Sequence, residues 1–244
     1  MSLDSRNWSE LHAAYGPATD VPGLLKALIS ENAARRAAAI DELYGTVWHQ
    51  GTVYEVTPLT VPYLSAVACE DGVDDRTRAQ TALLLGGIAS ATSFVLPDEP
   101  RHMLPAAWLW DIADPKPDRD LAEECRAAVA SRAAALLAAL TAAPAATTAA
   151  LLAVLAAVAT PASAVPFTPV FDLEGASEIR LATAARTVRE LSQGSLTEAG
   201  LTELAGIDQE ASEYLAAIAE WPVNVRGVEL VRELAERLVA EGLR

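Results

Sequence analysis

Apolar residues recur at helical spacing along most of the chain, separated by short polar breaks. "SENAARRAAAIDELYGTV", from Ser30, sets Ala39, Ile40 and Leu43 behind Arg36. "DDRTRAQTALLLGGIA", from Asp74, repeats the arrangement with Arg78, Ala82, Leu85 and Ile88. A third relative, "SEIRLATAARTVRELSQG" from Ser177, carries Ile179, Ala182, Arg186 and Leu191. Polar caps followed by a period near 3.6 predict amphipathic helices at all three places. The same reading gives one long helix from Asp120, another from Thr147, and a capping box of Ser195 and Glu198 before "LTELAG". At the end, "RGVELVRELAERLVAEGLR" puts Leu230, Val231, Leu234, Leu238 and Val239 on one face, with Glu233 and Arg237 as an i,i+4 pair. That polar outer face suits a terminal cap. No alternating strand pattern of any length is visible.

The helical segments repeat. "DVPGLLKAL" at 20–28 and "TVPYLSAV" at 60–67 share a polar residue, Val-Pro and leucines, and Val21 and Val61 stand 40 residues apart. Asp20 or Thr60 can cap the exposed amides, and proline is tolerated in a first helical turn because its missing N–H has no partner there. "MLPAAWLW" from Met103 is a looser echo and "AVPFTPV" from Ala164 a poorer one. Helix pairs at a period near forty are the mark of a HEAT or armadillo array. The expected fold is therefore all-α, a HEAT/armadillo-like right-handed superhelix of antiparallel helix pairs. It forms a single domain over 1–244, with the best repeats at 1–92, degenerate alanine-rich repeats at 93–194 and capping helices at 195–244.

One stretch departs from the pattern. "GTVWHQGTVYEVTPLTVPYL", residues 45–64, gathers Trp48, His49, Gln50, Thr52 and Tyr54 around Gly51 before returning to apolar sequence through Pro58 and Pro62. It reads as a connection between a helix ending near Val47 and one beginning near Val61, longer than the usual two to eight residues or so between packed helices. The chain's start, "WSELHAAYGPATDVPGLLKAL", together with "HQGTVYEVTPLTVPYL", resembles a group of bacterial HEAT-repeat proteins. They share a Trp-x-x-Leu-x-His-Ala-Tyr-Gly start and a His-Gln-Gly-Thr-Val-Tyr loop. Here the start is Trp8, Leu11, His12, Ala14, Tyr15 and Gly16, with no residue between Leu11 and His12 and one extra alanine between His and Tyr. The resemblance spans roughly the first ninety residues and implies a fold, with no activity attached.

Composition narrows the function classes. The formal charge is −15, from 33 acidic and 18 basic residues, and lysine occurs only at Lys26 and Lys116. This opposes binding to nucleic acid or to an anionic membrane, both of which need a basic footprint. It suits a basic protein partner, a cationic ligand, or solubility alone. Cys69 and Cys125 are the only cysteines, too few for a disulfide scaffold or a Cys-x-x-Cys zinc site. The start lacks a basic region followed by an apolar core, so no secretory signal is read and a cytoplasmic location is expected. Residues 133–171 carry no charge, yet Pro144 and Pro161 divide them into pieces shorter than the twenty or so apolar residues a spanning helix needs. They read as two buried helices.

Candidate chemistry gathers in the loop. His49 has the chemistry of a general base or ligand, with Gln50 and Tyr54 as donors to a polar group. The competing structural reading has His49 and Gln50 bonding backbone while Trp48 and Tyr54 pack between repeats. It is favoured because no carboxylate or second histidine stands at a revealing spacing. His12 is placed on the first helix near Trp8, and His102 in a loop. Trp108 and Trp110 cannot both face one side of a helix, so one is a candidate interface anchor. Gly86 and Gly87 read as a close helix approach. No cofactor motif and no metal-ligand spacing is read, and the acidic run 111–124 lacks the glycine of a calcium loop. The expected function is protein binding, by an adaptor, regulator or immunity-type inhibitor with an acidic concave surface. The alternatives are a small-molecule enzyme or ligand-binding protein using His49, Gln50 and Tyr54, or a DNA-repair-type HEAT glycosylase, which the charge opposes.

Overall fold

A computed structural model of the chain describes residue 3 and residues 6–91, 120–162, 167–207 and 209–242. His102, Trp108, Trp110 and most of the acidic run 111–124 lie outside the described residues. Among those described, the protein is all-α apart from two small hairpins. After a 3-10 turn at Trp8–Glu10 come strands β1 (His12–Ala13) and β2 (Gly16–Pro17), then helices α1 (Val21–Ala27) and α2 (Ala33–Thr46). Strands β3 (Trp48–His49) and β4 (Thr52–Val53) precede α3 (Thr57–Cys69) and α4 (Asp75–Ser90). The second part holds α5 (Leu121–Ala130), α6 (Ala133–Leu140), α7 (Ala145–Val158), the short α8 (Thr168–Phe171), α9 (Ile179–Gln193), α10 (Glu198–Ala205), α11 (Gln209–Ala217) and α12 (Val223–Gly242). Both strand pairs are antiparallel and two residues long, so the absence of an alternating strand pattern in the sequence left them invisible.

Polar caps set several helix starts. Asn32 accepts the Arg35 amide at 3.1 Å, Asp74 the Thr77 amide at 3.1 Å and Asp120 the Glu123 amide at 3.0 Å, each satisfying an amide that the first turn leaves unpaired. Other starts differ from the sequence reading. Asp20 stands at the cap position of α1 without a side-chain cap bond. Helix α3 begins at Thr57, four residues before Val61, so Pro58 occupies its first turn and Pro62 lies inside it. Thr60 is an interior residue whose hydroxyl donates to the Thr57 carbonyl at 2.7 Å. The expected long helix from Asp120 breaks at Ser131, whose hydroxyl donates to the Ala128 carbonyl at 2.6 Å while the Arg132 amide turns to Val129. Such local side-chain bonds compete with helix continuation. In α10 the cap is Thr197, bonded to the Gly200 amide at 3.2 Å, rather than Ser195.

The core is organised around α7. Twelve of its fourteen residues are buried, the state expected of a helix that is apolar on every side. It packs against α4, α12, α9, α6 and α5. Alanine and glycine permit the close approach: a Cβ on Gly86 would stand 3.6 Å from the Val154 backbone nitrogen and 3.9 Å from the Ala153 Cβ. Leu151, Leu152 and Leu155 are fully buried here, each worth about 1.5–3 kcal/mol relative to exposure. On the N-terminal side α1 packs on α2, α3 on α4, and α2 on α4.

Helix α12 packs on helices from both halves of the chain. It lies against α4, α7 and α9 on one side and α10 and α11 on the other. Val231, Ala235, Leu238 and Val239 join the main core, while Leu230 and Leu234 join a smaller cluster with Leu201, Leu204, Ala205 and Ala211. The i,i+4 pair of Glu233 and Arg237 forms at 2.8 Å, with both side chains mostly covered. No helix among the described residues is long and apolar enough to cross a membrane.

Candidate functional site

The unusual stretch at 45–64 and the chain's start come together as two bonded hairpins. His49 pairs with Thr52 across a two-residue turn at Gln50 and Gly51, whose φ angles are +50° and +85°. Positive φ at both central positions is the signature of a type I′ hairpin turn. Glycine takes it freely; Gln50 does so against its side-chain preference. The connection between α2 and α3 is thus a folded hairpin rather than an open loop.

The β1–β2 hairpin docks on this one through backbone bonds. The Ala14 amide donates to the Thr46 carbonyl at 3.0 Å, and the Val56 amide to the His12 carbonyl at 3.2 Å. The Glu55 carboxylate accepts the His12 amide at 3.3 Å. His12 is therefore an exposed strand residue and not part of a first helix, because the chain turns back at Ala14 and Tyr15 to pair with itself. Beneath, Thr57 stitches the base: its hydroxyl accepts the Tyr54 amide at 2.8 Å and donates to the Val47 carbonyl.

Trp48 anchors the double hairpin to the helices. Its indole meets Tyr44 edge-on, with ring centroids 5.9 Å apart, and lies against α4 at Gly87, where a Cβ would stand 3.1 Å from the ring. Its indole N–H is buried without an acceptor among the described residues, so Trp48 serves by packing alone. Tyr44 donates to the Gln80 carbonyl at 3.2 Å; burial, then the nearby Glu236, holds its proton well beyond the ordinary phenol range.

The outer surface is aromatic and polar. Tyr15 is 79% exposed, and its ring meets His49 edge-on at a centroid distance of 5.5 Å, with hydroxyl and Nε2 3.4 Å apart. Tyr54 is half-buried; burial, then the proximity of Tyr15, pushes its phenol above the ordinary value. Gln50 is exposed and Thr52 half-buried. The five loop residues read from the sequence thus divide into a packing anchor, Trp48, the half-buried His49, Thr52 and Tyr54, of which Tyr54 also packs against the core, and the exposed Gln50. Tyr15 and Glu55 complete the group and were not singled out as site residues. The available signal was the Ala-Tyr pair ahead of Gly16, which forms the turn and exposes Tyr15.

As an acid–base site the arrangement is incomplete. Among the described residues no carboxylate is hydrogen-bonded to His49, and no three His, Cys, Asp or Glu side chains converge as a metal site would require. Compared with protein-family models, with curated proteins and with solved structures, the chain gives no match.

Proposed function

We propose that this chain is a protein-binding helical-repeat module, an adaptor, regulator or immunity-type inhibitor, and that it contacts its partner through the double hairpin. The observation that carries the reading is Tyr15: a large aromatic, 79% exposed, presented on a hairpin that backbone bonds fix to a second hairpin and Trp48 fixes to the core. Exposed tyrosines held in one geometry lose little entropy on binding and are favoured interface anchors. The packing of α1 on α2, α3 on α4 and α2 on α4 supports a HEAT-like array for the N-terminal half, as does the motif resemblance.

The test is comparative. Affinity-tagged wild-type chain and the Tyr15→Ala and His49→Ala variants are used to recover partners, quantified by mass spectrometry, with circular dichroism confirming that each variant folds. A partner recovered by wild type and depleted with Tyr15→Ala supports the reading. Undiminished recovery with both variants rejects it.

A further inference from the structure

The double hairpin sets aromatic rings beside a carboxylate that has no cation. The Tyr15 ring meets His49 edge-on at 5.5 Å between centroids, and at 79% exposure it keeps most of its surface in water. Tyr54 is half-buried and lies near enough to Tyr15 for the two phenols to oppose each other's ionisation. Glu55, the next residue, is half-buried as well. Its Oε2 accepts the His12 amide at 3.3 Å, a bond that ties Glu55 to the hairpin carrying Tyr15. Among the described residues no basic side chain forms an ion pair with Glu55. The segments that build this surface, residues 7–20 and 45–56, hold Glu10, Asp20 and Glu55 but no lysine or arginine. Partial withdrawal from water strengthens a carboxylate's pull on an incoming cation, and aromatic faces attract the same charge.

We infer that the double hairpin takes an arginine side chain of its protein partner, laid over the Tyr15 ring with Glu55 as its counter-charge. Arginine fits better than lysine, because its planar guanidinium stacks on an aromatic face and its fork of donors matches the acceptor sites Glu55 keeps open. An acidic or phosphorylated segment is disfavoured, since these segments offer it Glu55 and no lysine or arginine. The chain's charge of −15 brings a basic partner in, and the ring fixes where its arginine rests. The inference rests on the double hairpin being the contact surface and names the chemistry that surface recognises.

The experiment titrates the whole chain with a capped glycine–arginine–glycine peptide and with its citrulline counterpart, which keeps the shape of the side chain without its charge. The ionic strength is about 0.15 M, where distant charges are screened. Amide chemical shifts give both location and affinity, and circular dichroism confirms that each variant folds. The arginine peptide binds and the citrulline peptide does not, with shifts concentrated at Tyr15, Gly16, Tyr54 and Glu55. Tyr15→Leu weakens binding about fivefold and Glu55→Gln, which can still accept the His12 amide, about threefold. Tyr15→Phe, which keeps a ring, and Asp172→Asn, which removes an exposed charge elsewhere, each change it less than about twofold. The inference is overturned if the arginine peptide shifts nothing, if citrulline binds as well, if the shifts gather at residues 70–75, or if Tyr15→Leu or Glu55→Gln leaves the affinity unchanged. Partner recovery separates the two readings. A partner depleted by Tyr15→Ala yet retained by Glu55→Gln leaves the contact surface standing and removes the arginine from it; recovery indifferent to Tyr15→Ala removes both.

Discussion

Two adjacent glycines in α4 face different neighbours and should respond oppositely to the same substitution. Alanine in place of glycine inside a helix is favoured by about 1 kcal/mol. At Gly86 the new methyl would meet the Val154 nitrogen at 3.6 Å and Ala153 at 3.7 and 3.9 Å, which is ordinary contact, so most of that gain is kept. At Gly87 it would stand 3.1, 3.3 and 3.4 Å from Trp48 ring atoms. The indole is wedged against Tyr44 and has little room to retreat, and overpacking of this kind costs about 1–3 kcal/mol. Gly86→Ala is therefore neutral or stabilising, and Gly87→Ala is destabilising by about 1 kcal/mol net. For a chain of this size the gap between them, about 1–2 kcal/mol, corresponds to about 2–8 °C in melting midpoint. Thermal unfolding followed by circular dichroism measures it. In a Trp48→Phe background the smaller ring makes room and the Gly87→Ala penalty disappears, a coupling a double-mutant cycle reads directly. Equal shifts for both alanine variants, or a penalty that persists with phenylalanine, would refute the wedge.

Gly51→Ala places a side chain at φ +85° in open space and lowers stability by about 1–2 kcal/mol in denaturant melts, whereas Gln50→Gly raises it. Leu155→Ala, at the fully buried centre of the fold, costs about 2–5 kcal/mol, measured by the urea midpoint at unchanged slope. Burial raises the Asp74 pKa, but the Thr77 hydroxyl and amide and the Arg36 guanidinium outweigh it and hold the carboxyl below its ordinary 3.8. A depressed carboxyl contributes stability that is complete above the unfolded value and lost as pH falls through the folded one. The deficit of Asp74→Asn against wild type is therefore present at neutral pH and shrinks below about 3.8 in a series of melts; a deficit independent of pH excludes the linkage.

The all-α class was legible because helical periodicity persists through Ala39–Leu43, Ala82–Ile88 and Leu230–Val239, where one face is buried. Helix ends were less legible. Local side-chain bonds at Ser131 and Thr197 and an interior proline at Pro62 decide them, and several conformations suit the same residues. In α9 the expected stripe ran through Ile179, which is 60% exposed, while Leu181, Ala184, Ala185 and Val188 are buried; alanine and threonine on both sides leave the phase of such a helix weakly written. The loop residues were found by their departure from composition. Their division into an anchor and a surface depends on Gly87 and Tyr15, each more than thirty residues away along the chain. Helix α12 illustrates the same limit. Its apolar stripe predicted a buried face, but only tertiary packing half-covers Glu229, Arg232, Glu233 and Arg237 on its polar side as well.

Site-directed photocrosslinking in cells tests the proposed contact surface most directly. A benzophenone side chain replaces Tyr15 in one variant and the comparably exposed Ile179 in another, and adducts are resolved by mass after irradiation. The account predicts a discrete adduct from position 15 that is lost when His49→Ala is added, and none from position 179. An adduct from 179 with none from 15 would contradict it.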